Sequence, residues 1–174
     1  QIGAKHLDTY QKIPGARVVA LADVDESKLS RLAAGYGIED TCTDFRRLIA
    51  RDDVQAVDVC LHNNLHMPVT VAALEAGKHV YCEKPMAGSY RDAEAMMAAA
   101  RKAGRRLSIQ LDALFSAETQ AARWLIQDGR LGKIYHGRTT GYRRRGRPFV
   151  DGYGSPAFVQ KRSSGGGAIY DGGV

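Results

Sequence analysis

The sequence predicts an α/β protein built on a parallel sheet with helices on both faces, followed by entry into a second domain. Three observations carry this. Through residue 112, strand-like and helix-like segments alternate with short connections, the signature of a parallel sheet. The strand segments are continuous apolar runs, which is how strands read when both faces are covered. Past residue 112 the alternation stops, and a Gly- and Arg-rich stretch runs to the last residue. The boundaries are therefore 1–112 for the first unit and 113–174 for the second.

The elements follow in order. Ala4, Leu7 and Tyr10 share helical spacing, and Pro14-Gly15 ends that helix. Val18 to Ala22 is a buried strand closing at Asp23. Asp25 caps a helix that runs to Gly35-Tyr36-Gly37. Thr43 or Asp44 caps a short helix with Phe45, Leu48 and Ile49 inward. Val54 to Leu61 is the next strand, and His62-Asn63-Asn64-Leu65-His66 a polar loop at its carboxyl end. A helix through Val69–Leu74 ends at Gly77. Val80-Tyr81-Cys82 is a strand cut short by Glu83-Lys84-Pro85. Ser89-Tyr90-Arg91-Asp92 matches a capping box for a helix to Lys102. Leu107–Leu111 is a strand and Ser116–Gln127 a helix with Ala121, Trp124 and Leu125 on one side. A long strand-like segment opens at Gly132 and passes Thr139, Thr140 and Tyr142. A loop follows from Arg143 to Ser163.

The 174 residues are 44% hydrophobic and 25% charged, values of a soluble globular chain. No apolar run approaches the roughly 20 residues that span a bilayer. The expectation is a cytoplasmic protein, with export left open because the first residues do not read as a true start. Cys42, Cys60 and Cys82 are odd in number and far apart, which argues against a disulfide framework or a C-x-x-C metal site. The net charge of +6 is concentrated in Arg143-Arg144-Arg145-Gly146-Arg147. With no nucleic-acid-binding framework around it, that stretch reads as a solvated loop, an anion site or an oligomer contact.

Two places carry chemistry. A lysine at the carboxyl end of a parallel strand faces the crevice where such sheets bind ligands, so Lys84 is a site candidate; a surface ion pair with Glu83 is the plainer alternative. Gln1-Ile2-Gly3 fits the last x-x-G of the dinucleotide fingerprint G-x-G-x-x-G, and Asp23 lies about 20 residues on, where an acid bonds the adenosine ribose. Asp23 can equally be a turn residue or a cap. Without a neighbouring arginine, Asp23 favours NAD over NADP, and Asp25 adds to that preference. His62 and His66 lack acidic or cysteine partners at a telling offset, so no metal is expected. His6, His79 and His136 read as structural.

The runs Ala22-Asp23-Val24-Asp25, His62-Asn63-Asn64-Leu65-His66, Ala76-Gly77-Lys78-His79-Val80-Tyr81-Cys82-Glu83-Lys84-Pro85 and Gly165 to Val174 together resemble the Gfo/Idh/MocA oxidoreductases. The resemblance implies an N-terminal Rossmann domain and a C-terminal α/β domain with a mostly antiparallel sheet. It implies NAD(H) or NADP(H), a sugar, cyclic polyol or related carbonyl substrate, and a homo-oligomer (dimer or tetramer) when full-length. It makes Lys84 the lysine of the E-K-P motif, before a cis proline. It makes Asp171 the aspartate of D-x-x-x-H, whose histidine would follow Val174. The chain thus reads as an internal fragment of a protein about twice as long. The residues expected at the cofactor are Gly3, Asp23, Val24, Leu61, Asn63, His66, Glu83 and Lys84. Weaker substrate candidates are Tyr142, Arg145, Tyr153 and Lys161.

The implied chemistry is hydride transfer from a carbinol. An unperturbed lysine, of pKa about 10.4, donates a hydrogen bond to the developing alkoxide; a histidine is the better proton acceptor. Lys84 is thus the electrophilic positioner and Asp171 the orienter of substrate and base, while Glu83 structures the turn. Two other functions share the scaffold. One keeps the cofactor permanently bound, as a sugar oxidoreductase or an NAD-assisted glycoside hydrolase. The other is a non-catalytic nucleotide-sensing or protein-binding relative.

Overall fold

The computed structural model describes residues 2–140 and 160–166. Its first helix, α1, spans Ile2–Tyr10 and buries Leu7. Strand β1 (Ala20–Ala22) leads to α2 (Glu26–Tyr36). That helix starts because the Asp25 side chain accepts the Lys28 backbone N–H, and stops because Gly37 adopts a left-handed φ of 66°. Strand β2 (Asp40–Cys42) follows, then α3 (Phe45–Ile49), capped by Asp44. Strand β3 (Ala56–Val59), helix α4 (Asn63–Glu75), strand β4 (His79–Cys82), helix α5 (Tyr90–Ala103) and strand β5 (Leu107–Ile109) complete the alternation. Ser89 caps α5 by accepting the Asp92 N–H. A 3-10 turn (Asp112–Phe115), α6 (Ala117–Gln127) and the four-residue α7 (Lys161–Ser164) are the remaining described elements.

Every strand pairing among the described residues is parallel. β1 pairs with β2, and β4 lies between β3 and β5. A cavity of about 530 Å³ is lined by Val18, Val19, Asp40, Arg51, Asp53 and Tyr10 among others. Most of those residues precede the strands, so the cavity sits at their amino ends, opposite the crevice that parallel sheets use for ligands.

The three-stranded sheet shows why its strands read as apolar. Val57 pairs with Val80, and Val59 with Cys82; all four are buried in one core with Ala73 and Leu74 of α4 and Met96 of α5. Alternation turns Asp58, Cys60 and Tyr81 to the other face, and Asp58 and Cys60 meet α1 there.

The structure corrects four expectations. β2 was not anticipated, because Asp40-Thr41-Cys42, exposed except for the half-buried Cys42, has no apolar pattern and becomes a strand only by pairing with β1. The expected loop 62–66 is the start of α4: His62 takes an extended conformation and its carbonyl accepts the Leu65 N–H at 2.8 Å. Residues 133–140 form no strand and are exposed, since no described strand lies alongside to pair with them. Finally, Lys161 sits on α7 rather than in a loop. The antiparallel second-domain sheet has no counterpart among the described residues. Helix α6 forms as expected but buries nothing; Trp124 is 52% exposed.

Candidate active site

The candidate site forms at the carboxyl ends of β1, β3 and β4. β4 delivers Glu83, Lys84 and Pro85 directly after Cys82. The Lys84–Pro85 peptide is cis, as the resemblance implied. Glu83 is buried and its Oε2 accepts the Lys84 backbone N–H at 3.1 Å, so the acid shapes the turn that presents the lysine.

The turn is held from two sides. On one, the fully buried His66 of α4 places Nδ1 2.8 Å from the Pro85 carbonyl and Nε2 3.0 Å from the Leu61 carbonyl. His66 is therefore engaged with the backbone of Leu61 and Pro85. On the other side stands His6 of α1. Its Nδ1 is 2.7 Å from Asp58 Oδ2 and its Nε2 is 2.9 Å from Glu83 Oε1. Tyr10 O–H donates to Asp58 Oδ2 at 3.0 Å, and the Cys60 thiol lies 3.5 Å from Asp58 Oδ1. Burial, and next the Asp58 charge, push both the Tyr10 hydroxyl and the Cys60 thiol above their usual ranges.

Ligand atoms of His6, Asp58 and Cys60 lie within 4.8 Å of one another, a spacing a cation could bridge. The chemistry favours a hydrogen-bonded network instead. His6 Nδ1 and the Asp58 carboxylate already bond each other, and the thiol would have to ionise against burial and a neighbouring carboxylate.

The residues expected at the nucleotide lie on α1 and after strands β1 and β3. Gly3, at the start of α1, packs over Cys60; a Cβ there would lie 3.7 Å from the Cys60 Cβ, ordinary contact. The glycine gives a close helix-on-strand approach, though sterics would admit alanine. Asp23 closes β1, accepts the Asp25 N–H at 3.0 Å and is ion-paired with Lys28. Asp25 is committed elsewhere: it caps α2, and the Lys28 N–H foremost holds its carboxyl below the usual range. Val24 is 88% exposed and Leu61 40% exposed; both offer apolar surface at strand ends. An acid on a strand end, a close-packed glycine and adjacent apolar surface fit an adenosine group.

The far end of the chain reaches the same place. Asn63 Nδ2 donates to the Ser164 carbonyl at 2.7 Å, which brings α7 and Gly165 against the start of α4. Lys161 is exposed on α7. Asp171, Tyr142, Arg145 and Tyr153 lie outside the described residues.

Sequence reasoning missed two functional partners. Lys28 was passed over because an arginine was sought beside Asp23. His6 was classed as structural, which its bonds support, but its link to Glu83 joins residues 77 positions apart. The one available hint was Asp58, an acid inside an apolar strand.

The family model for the NAD-binding Rossmann fold of the Gfo/Idh/MocA oxidoreductases matches residues 1–111. A D-glucoside 3-dehydrogenase of Escherichia coli is 34% identical over 169 residues, covering 97% of this chain and 47% of that protein. An aldose-aldose oxidoreductase from Caulobacter crescentus superposes with a TM-score of 0.76 at 34% identity, over 95% of this chain and 49% of that one. The WlbA dehydrogenase of Bordetella pertussis, solved with NADH and UDP-GlcNAcA, superposes with a TM-score of 0.73 at 26% identity, over 77% and 39%. The chain spans between 32% and 47% of the length of the first curated relatives it matches. With its parallel sheet, its lysine turn and this match, the chain belongs to the Gfo/Idh/MocA family of oxidoreductases.

Proposed function

We propose that this chain supplies the cofactor-binding domain (1–112) and the start of the substrate domain (113–174) of an NAD-dependent dehydrogenase. Its substrate class is a sugar, cyclic polyol or related carbonyl compound. The observation that carries this is the placement of Lys84: at the carboxyl end of the middle strand of its sheet, on a turn fixed by Glu83 and His66.

A bound nicotinamide would supply the hydride acceptor. Asp23 would hold the adenosine ribose, with Gly3, Val24 and Leu61 around it. Lys84 would donate a hydrogen bond to the substrate oxygen as negative charge develops there. Asn63 holds α7 against the start of α4, and Asp171, seven residues after Ser164 in the sequence, would orient substrate and base. Tyr142, Arg145, Tyr153 and Lys161 remain candidates for substrate contact. The partner is a small molecule; assembly into a dimer or tetramer is part of the same proposal. Among the described residues no helix is long and apolar enough to cross a membrane.

The Lys28–Asp23 ion pair qualifies the cofactor preference. Asp23 repels a 2'-phosphate, but Lys28 offers a cation beside it, so NAD is preferred and NADP accepted weakly. Likeness to an aldose-aldose oxidoreductase favours one second reading, a sugar oxidoreductase that retains its cofactor. The deciding experiment is a panel of sugars and polyols offered to the intact protein with NAD and with NADP. Cofactor reduction by a panel member supports the dehydrogenase. Cofactor that co-purifies and survives dilution supports the second reading. Neither reduction nor retained cofactor overturns both.

A further inference from the structure

Both ring nitrogens of His6 face carboxylate oxygens: Nδ1 to Asp58 Oδ2 at 2.7 Å and Nε2 to Glu83 Oε1 at 2.9 Å. A neutral imidazole carries one N–H. With that hydrogen on either nitrogen, the lone pair of the other would oppose a carboxylate oxygen, acceptor against acceptor. A second proton therefore lies on one of the two N···O lines, whichever atom holds it. The other acceptors in the cluster have their own donors. Tyr10 O–H and the Cys60 thiol serve Asp58; the Lys84 N–H serves Glu83 Oε2.

We propose that His6 is the positioning residue of the lysine turn: through this shared proton it clamps Glu83, and with it the Lys84 backbone, to Asp58 and to the helix that begins at the fingerprint glycine. The clamp joins the cofactor-binding helix α1 to the turn that presents Lys84. Its consequence for catalysis rests on the dehydrogenase reading above; its existence does not.

Without the shared proton a lone pair would stand against a carboxylate and the turn would loosen. The titratable groups facing the ring come from three places. They are Tyr10 on α1, Asp58 and Cys60 from β3, and Tyr81 and Glu83 from β4 and its turn. Asp112 adds negative charge near Tyr81. Burial, ahead of the carboxylates, raises Tyr10, Cys60 and Tyr81.

The test uses the intact protein in three forms, wild type, Glu83→Gln and His6→Ala. In Glu83→Gln, the side-chain amide donates to the Nε2 of a neutral ring and its oxygen still accepts the Lys84 N–H, so the clamp survives without the extra proton. Nitrogen-15 spectra of the His6 ring, read with carbon-13 spectra of the Asp58 and Glu83 carboxyls, should show in wild type at neutral pH one proton more than a neutral ring beside two carboxylates holds, and in Glu83→Gln a neutral ring. Hydrogen exchange at the Lys84 amide should lose about tenfold protection in His6→Ala and keep it in Glu83→Gln. A purely structural histidine would not need the extra proton. A neutral ring beside two ionised carboxylates in wild type, or equal exchange in wild type and His6→Ala, overturns the clamp. Both readouts need no turnover, so a failure of the dehydrogenase reading is seen separately, in the substrate panel.

Discussion

Replacing His66 with alanine separates the two roles open to this residue. The sequence places it among cofactor contacts; the structure buries it completely, with its ring nitrogens on the Pro85 and Leu61 carbonyls. Depriving the backbone carbonyl that the ring N–H serves of its donor should cost about 1–3 kcal/mol. The hole left by a fully buried ring should add about 2 kcal/mol. The sum, about 3–5 kcal/mol, is a large share of the roughly 5–15 kcal/mol that holds a typical domain together. Urea unfolding of wild type, His66→Ala and His66→Gln, with cofactor affinity measured on the folded fraction, checks this. The alanine variant should lose stability and the glutamine variant, which retains one donor, should recover part of it. A change of under about 1 kcal/mol in the alanine variant, coupled to a large loss of cofactor affinity, would refute the reasoning and return His66 to the cofactor.

Two further outcomes follow from the β1–α2 corner. Lys28→Ala should reduce the use of NADP relative to NAD by about fivefold, the scale of one partly exposed ion pair; an unchanged ratio in steady-state kinetics would show that Lys28 does not face the ribose. Asp25→Ala should lower the melting temperature at neutral pH, because the depressed carboxyl of Asp25 favours the folded chain while ionised. The deficit should shrink as the pH falls below the ordinary aspartate value and through the depressed one, and a deficit constant down to about pH 2 would contradict the capping role.

Local signals were enough wherever one element's own residues decide its form. Asp25, Asp44, Ser89 and Ser116 cap helices because a short polar side chain can reach an unpaired N–H a few residues on. Gly37 and Gly104 end helices because they take positive φ without a side-chain clash. β2 and residues 133–140 were illegible for the opposite reason: a strand exists only where a neighbour pairs with it. Loop 62–66 was misread because polar side chains on a first helical turn look like a loop until the backbone bond from Leu65 to His62 is seen.

By itself, the sequence determined the parallel α/β class, most element positions, and Lys84 and Asp23 as the residues on strand ends. These depend on periodicity, capping and motif, all local properties. Only the tertiary structure decided what surrounds them. It turned Asp58 toward His6, set Lys28 on Asp23, buried His66 on two carbonyls and brought Ser164 to Asn63. All but the Lys28 pair and the Leu61 contact join residues 19 to 101 positions apart. Spacing along the chain carries no information about such pairs, because packing the sheet against its helices is what creates them.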